Sequence, residues 1–132
     1  MTPSDTPPFS QPAARVLNAD APAPILLLCD HASNTIPEEF DNLGLSPSQL
    51  ETHVAYDPGA AALTIAMAEK LGAAGVLSTY SRLLIDVNRP PDAPDSIIVE
   101  NDGIRVPGNA DLSEDDRRAR VAGIYEPYHR AI

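Results

Sequence analysis

Cysteine is nearly absent from this sequence of 132 residues, which contains Cys29 alone. An internal disulfide is therefore excluded, and the composition fits a reducing compartment. Its longest apolar run is far shorter than the roughly 18 residues that a bilayer span needs. The N-terminus also lacks a basic segment followed by an apolar one, as a secretory signal would have. We expect a soluble, cytoplasmic protein.

Basic residues are also scarce, because nine Lys and Arg stand against 19 Asp and Glu, for a formal charge of −10. A phosphate backbone or an anionic membrane surface would be repelled by most of such a surface. Nucleic acid and membrane are therefore not expected as partners, which leaves small molecules. The length suits one domain with a hydrophobic core of its own.

The organisation of the chain predicts a tail followed by an α/β domain. Six of the 14 prolines fall within residues 1–24, so we expect a flexible tail over residues 1–15 and a domain over residues 16–132. The apolar run Ile25 to Cys29 predicts a strand of a parallel sheet that is buried on both faces. Further strands are expected over residues 75–80 and 83–87.

Helix signals complete this outline. Ser46-Pro47 opens a short helix that ends near His53. A second helix begins at Pro58 with Asp57 as its cap and ends at Gly72. A third begins after Ser113, and Pro127 should kink or end it. Residues 90–112 are rich in turn residues and are expected to form a long loop.

The densest group of reactive side chains is the run Cys29-Asp30-His31-Ala32-Ser33-Asn34, directly after the first apolar strand. Open α/β sheets bind their ligands at the carboxyl ends of strands. His31 can act as a metal ligand or a base, and Asp30 can orient it or another histidine. The alternative is that Asp30 caps a turn and His31 makes only structural hydrogen bonds.

A second candidate group lies at His53 and Asp57. Each has a simple structural explanation, since Asp57 can be a helix cap and His53 can interact with a helix dipole. Together with His31, however, they offer the imidazole and carboxylate groups that a divalent metal site requires.

A third group is the pair Asn88-Arg89, which follows the apolar run 83–87. A planar guanidinium beside an amide is suited to bind a carboxylate. The alternative is a surface ion pair of Arg89 with Asp86 or Asp92, and the same explanation applies more strongly to Arg82. His129, near the end of the chain, could face a pocket or interact with a helix dipole.

These motifs, in this order, resemble the N-formylglutamate amidohydrolase family. The resemblance rests on residues 30–34 with Ile36-Pro37, on residues 53–60 and on residues 81–89. It continues through Pro107-Gly108-Asn109 and Pro127-Tyr128-His129, and it covers the chain from about residue 16 onward.

The resemblance implies a mixed, largely parallel α/β sheet with flanking helices, a phosphorylase/hydrolase-like fold akin to the zinc carboxypeptidases. It implies hydrolysis of an N-formyl amino acid such as N-formyl-L-glutamate to formate and the free amino acid, by water activated on zinc. By position, His31 is the metal ligand, and Asp30, His31 and Asp57 are the catalytic candidates. Ser33, Asn34, Asn88 and Arg89 are the candidates for binding the substrate.

The sequence also departs from this family. Members are about twice as long, and a His-Ser motif that supplies another zinc ligand in their second half has no counterpart here. Asn34 stands where carboxypeptidases have a glutamate ligand. We therefore expect an incomplete metal site and an N-terminal half of the fold. Two alternatives remain: a carboxylate-binding module without catalysis, and an inactive fragment whose exposed sheet edge favours association.

Overall fold

A computed structural model describes residues 9–132, and its centre is a small mixed sheet. The sheet contains β1 (Ala14–Leu17), β2 (Leu26–Cys29) and β3 (Ala74–Ser78), in the order β1-β3-β2. β2 runs parallel to β3, whereas β1 is antiparallel to it. The fold is thus mixed α/β, as expected, with one parallel and one antiparallel pair of strands. Since β3 is central, its residues from Gly75 to Ser78 are buried.

The strand predicted after Pro24 is present as β2, but its burial differs from the prediction. Leu26 and Leu28 are 42% and 48% exposed, so the expectation that both faces are buried was wrong. The reason is positional, because β2 is an edge strand in the described part of the chain and one of its faces has little covering it. Cys29 points to the other face and is buried.

Residues 1–8 of the predicted tail lie outside the described residues. From Phe9 onward the chain packs against the domain, since the Phe9 ring stacks on Phe40 with centroids 5.4 Å apart. Ala13 is buried, and β1 begins at Ala14. Phe9 and Ala13 of the predicted tail therefore lie against the domain. β1 is only four residues long and has just two branched aliphatic residues, Val16 and Leu17, which is why the sequence did not predict it.

The first two helices begin close to the predicted positions. Ser46 forms a capping box with Gln49 and starts α1 (Pro47–Leu50). The second helix, α2 (Ala60–Leu71), ends at Gly72, whose φ of 61° is the left-handed conformation that glycine adopts readily. Its N-cap residue is Gly59, so the predicted capping by the Asp57 side chain is wrong. That carboxylate is thereby available to another partner.

The C-terminal helical region is continuous but irregular. Ser113 caps α3 (Glu114–Arg120) by accepting a hydrogen bond from the Asp116 amide. A π-helical stretch, Val121–Tyr125, joins it to α4 (Glu126–Ala131), which contains Pro127. Proline cannot donate the usual helical hydrogen bond, and the π-helical geometry before Pro127 accommodates the missing donor. Within the described residues, no helix is long and apolar enough to cross a membrane.

The long loop over residues 90–112 contains little regular structure, as expected. It includes a two-stranded hairpin of β4 (Glu100–Asn101) and β5 (Ile104–Arg105), followed by a 3-10 turn at Pro107–Asn109. Another 3-10 segment, Glu38–Gly44, connects β2 to α1 and contains three non-glycine residues with positive φ, which are Asp41, Asn42 and Leu43.

The prediction of a strand over residues 83–87 was wrong. The segment is buried but forms turns, and side chains from distant parts of the chain bind its backbone. Asn109 donates to the Leu83 carbonyl at 2.7 Å, and Arg120 donates to the Leu84 carbonyl at 2.9 Å. Arg120 also donates to Asn109 Oδ1 at 2.7 Å. These bonds replace the strand ladder that a buried backbone would otherwise need.

Candidate functional site

The candidate site lies where β2 ends and the chain turns through Asp30 and His31. Two hydrogen bonds hold this turn, one from Ser78 Oγ to the Asp30 carbonyl at 2.6 Å and one from the Asp57 amide to the His31 carbonyl at 2.9 Å. His31 is thus fixed between the end of β3 and the loop before α2. Its imidazole has carboxylates at both ring nitrogens.

The stronger of the two contacts joins His31 to Asp86. His31 Nε2 lies 2.7 Å from Asp86 Oδ1, and the Asp86 side chain is 2% exposed. Asp86 also accepts from the Asn88 amide at 2.9 Å and from Arg82 Nη2 at 3.1 Å. A buried carboxylate with three donors is held in one orientation, and it fixes the orientation of the His31 ring in turn.

The second carboxylate is Asp57. Its Oδ2 atom lies 3.3 Å from His31 Nδ1, and its side chain is 54% exposed. When Nε2 carries the proton of the neutral ring and donates it to Asp86, Nδ1 presents a lone pair toward the Asp57 carboxylate. A proton or a metal ion between these atoms would relieve the repulsion. Asp57 and His31 are therefore the members of the predicted site that the structure brings together.

These contacts change the pKa values of the pair. The hydrogen bond to Asp86 raises the pKa of His31, while burial and the Arg82 charge oppose the change. Burial alone would raise the pKa of Asp86, but hydrogen bonds from His31 and the Asn88 amide, with the charges of His31 and Arg82, hold it below its usual value. The pair thus favours a protonated histidine beside an ionised carboxylate.

The pH dependence of this pair can be measured directly. The pKa of His31 is raised in the folded protein, so protonation of His31 stabilises the fold. This stabilisation is complete below pH 6.5, the pKa of His31 in the unfolded chain, and is lost as pH rises through the pKa of His31 in the folded protein. The pKa of Asp86 is lowered in the folded protein, so its ionised carboxylate stabilises the fold above pH 3.8, the pKa of this group in the unfolded chain. The stabilisation is lost as pH falls through the pKa of Asp86 in the folded protein.

We therefore expect an NMR titration of the metal-free protein to give a His31 midpoint above 6.5, with the signal assigned from a His31→Gln variant. Asp86→Asn should lower that midpoint. A midpoint at or below 6.5 in the unsubstituted protein would contradict the geometry.

Asp30 takes a different position from the one expected for a catalytic acid. Its carboxylate accepts a hydrogen bond of 2.6 Å from the hydroxyl of Tyr128, which is fully buried in α4. Burial and this carboxylate both raise the pKa of Tyr128, so its hydroxyl stays a donor. Asp30 thus connects the His31 turn to the C-terminal helix.

The other predicted residues fall into structural contacts around the turn. Ser33 Oγ bonds Thr35 Oγ1 at 2.9 Å, and Asn34 donates to the Leu50 carbonyl at 2.9 Å. Arg89 donates from Nε to Asp95 at 3.0 Å and from Nη1 to the carbonyl of Asn88. Arg89 is therefore in an exposed ion pair, with Asp95 rather than with the Asp86 or Asp92 named as alternatives.

The other two histidines bind residues outside the His31 cluster, which consists of His31, Asp57, Asp86 and Arg82. His53 Nε2 contacts Asp102 at 2.8 Å, and both side chains are more than half exposed. His129, in the last turn of α4, donates to the Val87 carbonyl at 2.8 Å. This bond places α4 against the residue that follows Asp86.

Sequence reasoning missed Asp86 and Arg82 as members of the site. Asp86 was considered only as an ion-pair partner of Arg89, and Arg82 only as a surface charge. One signal was present, because an acid between the apolar residues Ile85 and Val87 must find donors when its segment is buried. The identity of those donors depended on the turn at His31.

The donor chemistry of the cluster fits part of a zinc site. Ligands at 2.0–2.2 Å on a tetrahedral ion lie about 3.4 Å from each other, close to the 3.3 Å between His31 Nδ1 and Asp57 Oδ2. Asp86 at Nε2 is the carboxylate that commonly supports a ligating histidine. Among residues 9–132, however, no group of three or more His, Cys, Asp or Glu side chains could hold a metal ion.

Comparisons with known proteins agree with the motifs. A model of the family described as N-formylglutamate amidohydrolase matches residues 23–132. The crystal structure of a gene product from Agrobacterium tumefaciens is 44% identical and superposes with a TM-score of 0.88. The match covers 90% of this chain and 47% of that one, so the chain spans about half the length of this solved relative. No curated protein matches significantly.

The extent of the family match includes every part of the His31 cluster. Its residues 23–132 contain β2, the turn at His31, Asp57 and the segment around Asp86. The chain therefore belongs to the N-formylglutamate amidohydrolase family.

Proposed function

We propose that this chain carries part of the site of a metal-dependent hydrolase with a zinc carboxypeptidase-like fold. The substrate would be an N-formyl amino acid such as N-formyl-L-glutamate, and the products would be formate and the free amino acid. The observation that carries the proposal is the orientation of His31, whose Nδ1 faces Asp57 while the buried Asp86 holds Nε2. Family membership supports an amidohydrolase reaction.

In this proposal His31 Nδ1 and Asp57 hold the metal ion, and zinc is the ion expected. When bound, such an ion polarises the amide carbonyl and lowers the pKa of a water molecule. Asp86 keeps the proton of His31 on Nε2, so that Nδ1 remains a ligand. Arg82 and the Asn88 amide keep Asp86 ionised and in place. Two donors are fewer than the three or four protein ligands that zinc usually takes.

Arg89 and Asn88 are proposed to bind the carboxylate of the substrate. Arg89 is held by Asp95, but the two side chains are 40% and 59% exposed. An exposed ion pair contributes at most about 1 kcal/mol, so a substrate carboxylate can replace Asp95 at little cost. The planar guanidinium then offers two parallel donors to the incoming group.

The cellular setting follows from composition and also remains a proposal. A single cysteine that is buried fits a reducing cytoplasm. The charge of −10 disfavours nucleic acid as a partner.

Formate release tests this function. We expect the protein, supplied with zinc, to release formate from N-formyl-L-glutamate, and to act poorly on the same compound with its carboxylates blocked as amides. N-acetyl-L-glutamate has the same carboxylates but a different acyl group. Comparing the two compounds therefore separates selection of the acyl group from binding of the carboxylates. The chain should be assayed alone and together with a polypeptide corresponding to the unmatched half of the Agrobacterium protein.

Two results would contradict the proposal in different ways. Binding of N-formyl-L-glutamate without hydrolysis in either preparation would favour a carboxylate-binding module. This alternative agrees with the described residues, which contain no group of three or more possible metal ligands. Neither binding nor hydrolysis would exclude both functions.

A further inference from the structure

The C-terminal helical region, from α3 to α4, has no part in the reaction proposed above. It nevertheless contains the motif Pro127-Tyr128-His129, which lies in α4. Arg120, Ile124 and Tyr128 follow one another at four-residue spacing and are all buried, so one face of this region lies against the core. The role of the motif therefore depends on the groups that this face and His129 bind.

Tyr128 binds the residue that precedes His31. Its hydroxyl, on a fully buried side chain, donates a hydrogen bond of 2.6 Å to Asp30 Oδ1. The carbonyl of Asp30 is held separately, since it accepts from Ser78 Oγ at 2.6 Å. A residue whose side chain and carbonyl are both bound has little freedom to rotate. The backbone that leads into His31 therefore keeps one direction.

The same helical region binds the backbone on both sides of Asp86. Arg120 donates from Nη1 to the Leu84 carbonyl at 2.9 Å, and His129 donates from Nε2 to the Val87 carbonyl at 2.8 Å. Asp86 lies between these two carbonyls in the chain. The position of its side chain therefore depends on where α3 and α4 lie.

The π-helical stretch between α3 and α4 makes these contacts compatible. In a regular α-helix, the eight residues from Arg120 to Tyr128 would make two turns and about 80° more, which would move Tyr128 off the face of Arg120. In the π stretch the Glu126 amide donates to the Val121 carbonyl, five residues earlier. This wider turn takes up the surplus and keeps Arg120 and Tyr128 on the buried face.

We propose that Tyr128 is a positioning residue of the candidate site, which acts on His31 by holding Asp30. His129 acts in the same way on Asp86, through the backbone that follows it. Together they maintain the contact of 2.7 Å between His31 Nε2 and Asp86 Oδ1. The effect on metal binding rests on the proposed function, because it requires His31 to be a metal ligand. The effect on the orientation of the His31 ring does not.

Tyr128→Phe tests the proposal, with Tyr80→Phe as the matched control. Tyr80 is also buried, and its hydroxyl donates to the Gln11 carbonyl in the N-terminal segment at 3.1 Å. Each substitution removes one tyrosine hydroxyl and its hydrogen bond, and Tm measures the general cost in both variants. In NMR spectra of the metal-free protein at fixed pH, we expect the Nε2 proton of His31 to lose its protection from solvent exchange in Tyr128→Phe alone.

Zinc affinity supplies a second measurement, by competition with a chromophoric chelator. Loss of a group that supports a ligating histidine typically costs about 10–100-fold in metal affinity, and Tyr128 acts through one further residue, so we expect Tyr128→Phe to weaken Zn²⁺ binding by ~10-fold. His129→Gln and His129→Leu form a second pair, because Gln keeps a donor for the Val87 carbonyl and Leu does not. Only His129→Leu should expose the His31 proton and weaken Zn²⁺ binding.

Two results would overturn the proposal. One is a His31 signal and a zinc affinity that are the same in Tyr128→Phe as in Tyr80→Phe, which would leave Tyr128 with a role in stability alone. The other is identical behaviour of His129→Gln and His129→Leu, which would show that the bond to Val87 does not position Asp86. Absence of zinc binding in the unsubstituted protein would contradict the proposed function instead, and the His31 signal would then decide the positioning role by itself.

Discussion

Replacing His31 with alanine is expected to reduce formate release by more than ~100-fold. Loss of a partner that only supports a metal ligand typically costs 10–100-fold in metal affinity or activity, and His31 is proposed as the ligand itself. The structure adds a reason, because His31 alone connects the buried Asp86 to the exposed Asp57. Without the imidazole, Asp86 keeps its contacts with Arg82 and the Asn88 amide but loses its connection to Asp57.

The measurement is kcat/KM for N-formyl-L-glutamate in whichever preparation is active, with zinc content determined on the same samples. His53→Ala is the matched control, since His53 is an exposed histidine paired with Asp102. It should leave both values nearly unchanged. Full activity of His31→Ala with one bound equivalent of zinc would show that His31 is not a metal ligand.

Replacing Asp86 with alanine is expected to lower the free energy of unfolding by about 3–5 kcal/mol, because the substitution removes one partner of a buried ion pair. Asp86 is 2% exposed, and Arg82, 18% exposed, would lose the carboxylate that its Nη2 contacts. The Arg82 Nε atom is already buried without a hydrogen-bond partner among the described residues, so the guanidinium has little else to bind. The Asn88 amide would lose its acceptor as well.

Urea unfolding near pH 6 measures this effect, in the range where the pKa shifts of both His31 and Asp86 stabilise the fold. Asp95→Ala is the control, since it removes the carboxylate from the exposed Arg89 pair and should cost less than about 1 kcal/mol. Equal effects of the two substitutions would show that Asp86 is a surface charge in solution.

Local sequence signals were sufficient where neighbours in the chain decide the structure. Gly72 ends α2 because its own backbone adopts positive φ, and Ser113 caps α3 because its hydroxyl reaches an amide three residues on. The apolar run before Cys29 predicted β2 and its parallel pairing. A similar run at residues 83–87 led to the wrong prediction of a strand. Its backbone carbonyls bind Asn109 and Arg120, which are distant in sequence.

The candidate site shows the same division. His31, His53 and Asp57 were predicted together as possible groups of a metal site. The structure brings His31 and Asp57 to 3.3 Å, whereas His53 contacts Asp102. Asp30 was predicted beside them, yet its carboxylate binds Tyr128, which lies almost a hundred residues later. Arg89 was predicted as the important cation, whereas Arg82 is the arginine that contacts the His31 and Asp86 cluster.

By itself, the sequence determined the positions of the main helices, which follow from caps and spacing that act over a few neighbouring positions. Its ordered motifs resembled the family to which the chain belongs, and they pointed to His31 as a candidate site residue. Only the tertiary structure decided that Asp86 supports His31, that Asp30 holds α4, and that β2 is an exposed edge. Those outcomes depend on which distant groups meet in a buried environment, where each charge and backbone group must find a partner.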